Sequence, residues 1–147
     1  VGINLFPNGE ITAVRSSNKT LALNRRGSDG EIATFSKSDT QVGNISVTSV
    51  ATAYNTSSDY RLKEDLKDFD GLDKVSKIPV YDFKWKSDES RSYGVMAHEL
   101  QEVVPNAVNG EKDAEEMQGV DYSKVVPLLI KSIQELKAEV EDLKSKI

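Results

Sequence analysis

The sequence predicts an α+β chain, with a β-rich segment over residues 1–57 and a small mixed α/β domain over 58–147 that ends in a long helix from about 121 to 147. Three observations carry this reading. Short apolar–polar alternations broken by turn residues fill the first segment. The charge changes character at 57/58, with five Lys/Arg against four Asp/Glu before the seam and fourteen against twenty after it. Finally, Val126, Leu129, Ile133, Leu136, Val140, Leu143 and Ile147 step alternately by three and four, which is an unbroken a/d heptad seam.

Bulk properties narrow the function classes. A chain of 147 residues holds one ordinary domain, or a small domain with an appendage. With 37% hydrophobic and 29% charged residues, a lone monomer would have a thin core, so burial between chains is expected. The absence of cysteine excludes disulfides and thiolate metal sites, and a single histidine, His98, does not supply the usual zinc or iron ligand sets. No metal and no cofactor is therefore expected. No apolar run approaches membrane-spanning length, the N-terminus does not read as a signal peptide, and Val1 in place of Met reads as a fragment of a longer protein. A net charge of −5 argues against a general nucleic-acid binder. Neither a membrane nor nucleic acid is expected as a partner.

In residues 1–57, Asn8-Gly9 between Ile3–Phe6 and Glu10–Val14 is a hairpin signal. Thr20–Asn24 reads as a third strand and Gly27–Gly30 as a turn. Glu31–Phe35 and Gln41–Val47 read as strands around a Ser38–Thr40 turn, and Thr48–Thr56 as extended chain. Each strand has only two or three large apolar residues, too few to close a core alone. Either identical chains wind around a common axis, or this is a fragment of an ordinary antiparallel sandwich. The triplets at Asn18, Asn44 and Asn55 match the glycosylation pattern, but without a signal peptide they read as chance matches.

Further along, Leu62 and Leu66 give one apolar edge to a short helix or turn over Tyr60–Leu66. Leu72, Val75 and Ile78 give a second short helical face that Pro79 ends. Val80–Lys86 alternates, placing Tyr81, Phe83 and Trp85 on one side, where core burial is expected. Tyr93–Ala97 reads as the returning strand, His98–Val104 as a short amphipathic helix, and Ala107–Val120 as a second hairpin with an acidic loop. His98 reads as a polar residue at a helix start. In the C-terminal helix, Asp121 or Ser123 is the candidate cap, and Pro127 fits the first turn. Glu139 at g and Lys144 at the following e can pair between chains. β-branched residues at a with Leu at d favour a parallel dimer, while Ile130 at e widens the stripe enough to support a third chain.

The candidate chemistry lies at the seam. Ser58 and Lys63 stand five residues apart. A serine hydroxyl is a weak nucleophile until a base takes its proton, and a lysine amine can serve when burial or a neighbouring cation favours its neutral form. The plainer alternative is that Ser58 caps a helix. If the pair is chemical, the nearest carbonyl is that of Ser57, and the bond at risk is Ser57–Ser58. Asp59 could organise the turn, and Arg61 could act on Lys63 or orient a carboxylate.

Three motifs, Ser58-Asp-Tyr-Arg-Leu-Lys-Glu-Asp-Leu66, Tyr93-Gly-Val-Met-Ala-His-Glu-Leu100 and Val120-Asp-Tyr-Ser-Lys-Val-Val-Pro-Leu-Leu129, occur in this order. Together they closely resemble the C-terminal intramolecular chaperone domain of phage tailspike, tail fibre and neck appendage proteins. The resemblance covers residues 58–147 and is looser over 1–57, which is similar to the end of a fibre stalk.

It implies a homotrimer whose upstream stalk, a triple β-helix, folds with help from the chaperone and its coiled coil. It also implies a self-cleaving serine endopeptidase acting once, between Ser57 and Ser58, with Ser58 and Lys63 as a Ser-Lys dyad. The setting it implies is the host cytoplasm during assembly, with the mature stalk joining the virion tail and the chaperone released. A rival reading is a non-cleaving trimerisation or receptor-binding tip of a fibre protein. Another is the related chaperone module of eukaryotic membrane-bound transcription factors, disfavoured by the stalk-like segment and the missing membrane span.

Overall fold

The computed structural model describes the backbone of residues 2–5 and the whole of residues 11–147. It divides into two compact units, Val1–Leu66 and Lys67–Ile147.

In the first unit, β1 (Gly2–Leu5) and β2 (Ile11–Val14) pair antiparallel, from Gly2 opposite Val14 to Leu5 opposite Ile11. The Asn8-Gly9 turn expected between them lies outside the described residues. β3 (Gly30–Lys37), β4 (Thr40–Val47) and β5 (Thr52–Thr56) form an antiparallel meander in that order. Ser38 and Asp39 join β3 to β4 with φ of 48° and 63°. This double left-handed loop matches the twist of the flanking strands.

The two faces of the meander differ. On one, Glu31 Oε1 accepts from Gln41 Nε2 at 2.9 Å and Asn44 Nδ2 at 2.7 Å, and Asn44 Oδ1 accepts from Asn55 Nδ2 at 2.7 Å. On the other stand Phe35, Ile45 and Tyr54, with Phe35 and Tyr54 largely exposed. Strands with so few apolar residues build a polar ladder but no core within one chain.

The third strand expected at Thr20–Asn24 does not form, and Leu21 and Leu23 stay exposed. Its alternation finds no ladder partner among the described residues, and an unpaired strand has little stability of its own. Over Tyr60–Leu66, where a short helix or turn is expected, the chain makes one 3-10 turn, Tyr60–Leu62, with Leu62 and Leu66 exposed. Lys63 returns to an extended backbone and Asp65 takes φ of 53°, so the helix cannot continue.

The second unit runs α1 (Gly71–Ser76), β6 (Tyr81–Lys84), β7 (Arg91–Gly94), α2 (Ala97–Val103), β8 (Val108–Asn109), β9 (Gly119–Val120) and α3 (Val126–Ser145). Two short antiparallel ribbons, β6–β7 and β8–β9, alternate with helices. The buried apolar side chains among the described residues are Leu100, Ala107 and Leu128, so the core is as thin as composition suggested.

The aromatic row on β6 departs from expectation. Tyr81 and Trp85 are exposed and Phe83 is half-buried. A two-stranded ribbon covers only its middle: Phe83 packs near Gly94 and meets the Trp85 ring edge-to-face at 5.0 Å, while Tyr81 donates its hydroxyl proton to Glu99 Oε1 at 3.1 Å.

α1 is held by α3. Its first backbone N–H groups have no partner within the helix. Glu135 on α3 accepts from Gly71 N at 3.1 Å and Leu72 N at 2.7 Å, and Asp70 caps Asp73 N at 2.7 Å. Lys131 bridges Asp68 at 2.6 Å and Glu135 at 3.5 Å. The backbones approach so closely that a Cβ on Gly71 would lie 2.8 Å from Ser132 N. Glycine is required there for space. The two N–H groups and Lys131 hold the Glu135 carboxyl below its ordinary range.

α3 is shorter than the helix expected from residue 121. Asp121 caps a 3-10 turn, Tyr122–Lys124, accepting from Ser123 N at 3.0 Å, and the α-helix begins at Val126 with Pro127 in its first turn. Its docked face is Leu128, Lys131, Ser132 and Glu135. The heptad seam lies about a third of a turn away around the helix. Its six side chains on α3, from Val126 to Leu143, are each at least 44% exposed, and Ile147 follows the helix end. The helix therefore docks on its own unit with one face and leaves a second apolar face uncovered.

Candidate active site

Ser57, Ser58 and Lys63 lie where the meander ends. β5 leads into Ser57, whose N–H donates to the Val42 carbonyl of β4 at 3.0 Å and whose hydroxyl lies 3.5 Å from the Gln41 carbonyl. The acyl side of the Ser57–Ser58 bond is thus tied to the sheet. These anchors were not singled out in the sequence, because they act through main-chain carbonyls and no side-chain pattern marks them.

On the other side of the bond, the chain folds into the 3-10 turn. Leu62 N donates to Asp59 O at 3.1 Å and Lys63 N to Tyr60 O at 3.0 Å. Asp59, not Ser58, is the capping residue: its Oδ1 accepts from Arg61 N at 2.8 Å. The same carboxylate takes the Arg61 guanidinium in a fork, Nε to Oδ1 at 2.9 Å and the second arm to Oδ2 at 2.8 Å. Planar guanidinium and carboxylate match in this geometry. The Arg61 side chain, then its N–H, then the charge of Lys63 hold the Asp59 carboxyl below the ordinary range, and the carboxylate in turn raises the Arg61 guanidinium.

The turn brings Lys63 Nζ to 2.6 Å from Ser58 Oγ. With the amine protonated, Nζ donates to the hydroxyl. With it neutral, the same separation lets Oγ donate to Nζ, which is the geometry a general base needs. Both residues are exposed in the single chain. All five sequence-predicted positions, Ser57, Ser58, Asp59, Arg61 and Lys63, therefore gather in one loop. His98 is the second residue of α2, in the other unit of the chain.

Fold and site together define an α+β chain with a β-rich front, an uncovered amphipathic helix and a preformed serine–lysine contact at the seam. Residues 58–109 match the Peptidase_S74 family model, described as chaperone of endosialidase. The chain is 37% identical over 97 residues to the long tail fiber protein Gp37 of Enterobacteria phage M1, and equally to that of Enterobacteria phage Ox2. Each match covers 60% of this chain and 39% of the relative, so the chain spans about two fifths of the length of these fibre proteins. A further relative, myelin gene regulatory factor-like A of Dictyostelium discoideum, is 30% identical over 111 residues, covering 61% of this chain and 12% of that protein. The family match and the fibre relatives support an intramolecular chaperone domain of the kind found in phage fibre proteins. No helix among the described residues is long and apolar enough to cross a membrane.

Proposed function

We propose that residues 58–147 are a trimerising intramolecular chaperone for a phage fibre stalk whose end is residues 1–57, and that the chaperone releases itself by cutting Ser57–Ser58. The observation that carries the cleavage reading is the 2.6 Å contact between Lys63 Nζ and Ser58 Oγ. Neutral Lys63 takes the hydroxyl proton as Ser58 Oγ attacks the Ser57 carbonyl carbon. The tetrahedral centre collapses by breaking its bond to Ser58 N, which receives the proton and becomes a free amine. Ser57 is then an ester on Ser58 Oγ. Water, activated by the same amine, hydrolyses it to a Ser57 carboxylate and a restored hydroxyl.

Trimerisation is supported by the uncovered a/d seam of α3 and by the open apolar face of the meander, both of which a single chain leaves in water. Aligning three chains at the coiled coil shortens the search for strand pairings that are distant in sequence and slow to form. Cleavage after assembly leaves a stalk that cannot refold by the same route, which is kinetic rather than equilibrium stability. Assembly in the host cytoplasm, followed by incorporation of the stalk in the virion tail, completes the scheme. Truncation just before Ser58 tests the chaperone role. The truncated segment should be monomeric or aggregated, whereas the full chain and its Ser58→Ala version should both give folded trimers. A truncated segment that trimerises as well as the full chain would overturn the chaperone reading.

A further inference from the structure

The Asp59–Arg61 fork sits inside the turn that presents Lys63 to Ser58. Asp59 lies four residues before Lys63, across a single turn, and the lysine charge already acts on it. A carboxylate at that spacing is the natural partner of a flexible ammonium. Lys63 nevertheless reaches the Ser58 hydroxyl, while both oxygens of Asp59 are filled by Arg61.

We propose that Arg61 is a positioning residue that works by occupancy, filling both oxygens of Asp59 so that Lys63 stays on the Ser58 hydroxyl rather than pairing with the carboxylate. The inference rests on the cleavage reading above and deepens it. Two consequences follow from elementary electrostatics. An ammonium paired with a carboxylate gives up its proton at higher pH, and an amine drawn aside no longer meets the hydroxyl. Arg61 prevents both without touching the reacting atoms. The other charged groups on this stretch are Glu64 and Asp65, and the strands that carry and hold Ser57, β5 and β4, bear no charged side chain. Asp59 is thus the carboxylate held inside the turn, and the one Arg61 must occupy.

The test compares the full chain with Arg61→Gln and with the double change Asp59→Asn, Arg61→Gln. Asparagine can still cap the turn but cannot hold the ammonium by charge. Cell-free synthesis is stopped, aliquots are moved to buffers between about pH 6 and 10, and fragments are timed. Arg61→Gln should move the rate profile to higher pH by about half a unit, making cleavage near pH 7.5 about threefold slower, the scale of an exposed ion pair. The double variant should restore the parent profile. An unmoved profile in Arg61→Gln, or a uniform slowing that asparagine does not rescue, would overturn the proposal in favour of a merely structural fork. If the parent yields no fragments at any pH, the cleavage reading fails and crystal structures decide the positioning claim separately. Lys63 Nζ on Asp59 in Arg61→Gln supports occupancy, and Lys63 Nζ still on Ser58 Oγ overturns it.

Discussion

Replacing Leu136 with aspartate probes the uncovered face of α3. Six seam side chains lie on α3, all at least 44% exposed in the single chain, and Leu136 is at that lower bound. Full burial of a Leu, Ile or Val contributes about 1.5–3 kcal/mol, so completing the burial of the half-exposed seam side chains on α3 supplies roughly 4–9 kcal/mol per chain. Leu136→Asp removes about 1 kcal/mol of that directly. It also sets carboxylates from every chain against one another in the seam, at a cost of several kcal/mol each unless they protonate. The docked face, Leu128 with Ser132, is untouched, so the second unit should keep its fold. Sedimentation equilibrium of the Ser58→Ala chain, with and without Leu136→Asp, reads the outcome, and circular dichroism checks that α1 and α2 remain. Three chains are expected without the change and one with it, while Glu141→Ala, off the seam, stays trimeric. Trimers of unchanged stability in Leu136→Asp would refute the reasoning that this seam holds the assembly.

Other perturbations follow from the packing. Gly71→Ala places a methyl 2.8 Å from Ser132 N, forcing α1 off α3 and costing about 1–3 kcal/mol in a thermal melt; an unchanged melt would mean the helices separate freely. Leu100→Ala empties the most deeply buried side chain and should cost about 2–5 kcal/mol by denaturant titration. Glu135 has a lowered folded-state pKa, so the stability it contributes is present above its ordinary range near 4.5 and lost as pH falls through the lower folded value. Melting temperatures between about pH 6 and 3 should therefore fall more steeply in the parent than in Glu135→Gln, and parallel curves would contradict the clasp on the α1 N-terminus.

Local patterns were legible in the sequence and contacts at a distance were not. The β6 alternation, the helices at Gly71–Ser76 and Ala97–Val103, and the β3–β4 hairpin all follow from residues within a few positions of one another. The Ser58–Lys63 contact was readable for the same reason, since one short turn closes it. The Glu135 clasp joins residues 63 and 64 positions apart, and no periodicity points from one helix to the other. Thr20–Asn24 failed as a strand because alternation states a preference that only a neighbouring strand can satisfy. Tyr81 and Trp85 failed as core residues because a two-stranded ribbon has too little cover for three aromatics. In each failure the apolar pattern was real and the described residues leave it uncovered.

Release of the chaperone depends on the proposed cut at Ser57–Ser58. Intact mass under denaturing conditions, measured beside Ser58→Ala and Lys63→Met versions, tests it most directly. The parent should give two fragments, one ending in a Ser57 carboxylate and one beginning with a free Ser58 amine, and each variant a single full-length species. A single full-length species from all three would contradict self-cleavage and leave a trimerising chaperone without a cutting step. Fragments persisting in Ser58→Ala would contradict the assignment of Ser58 as the nucleophile.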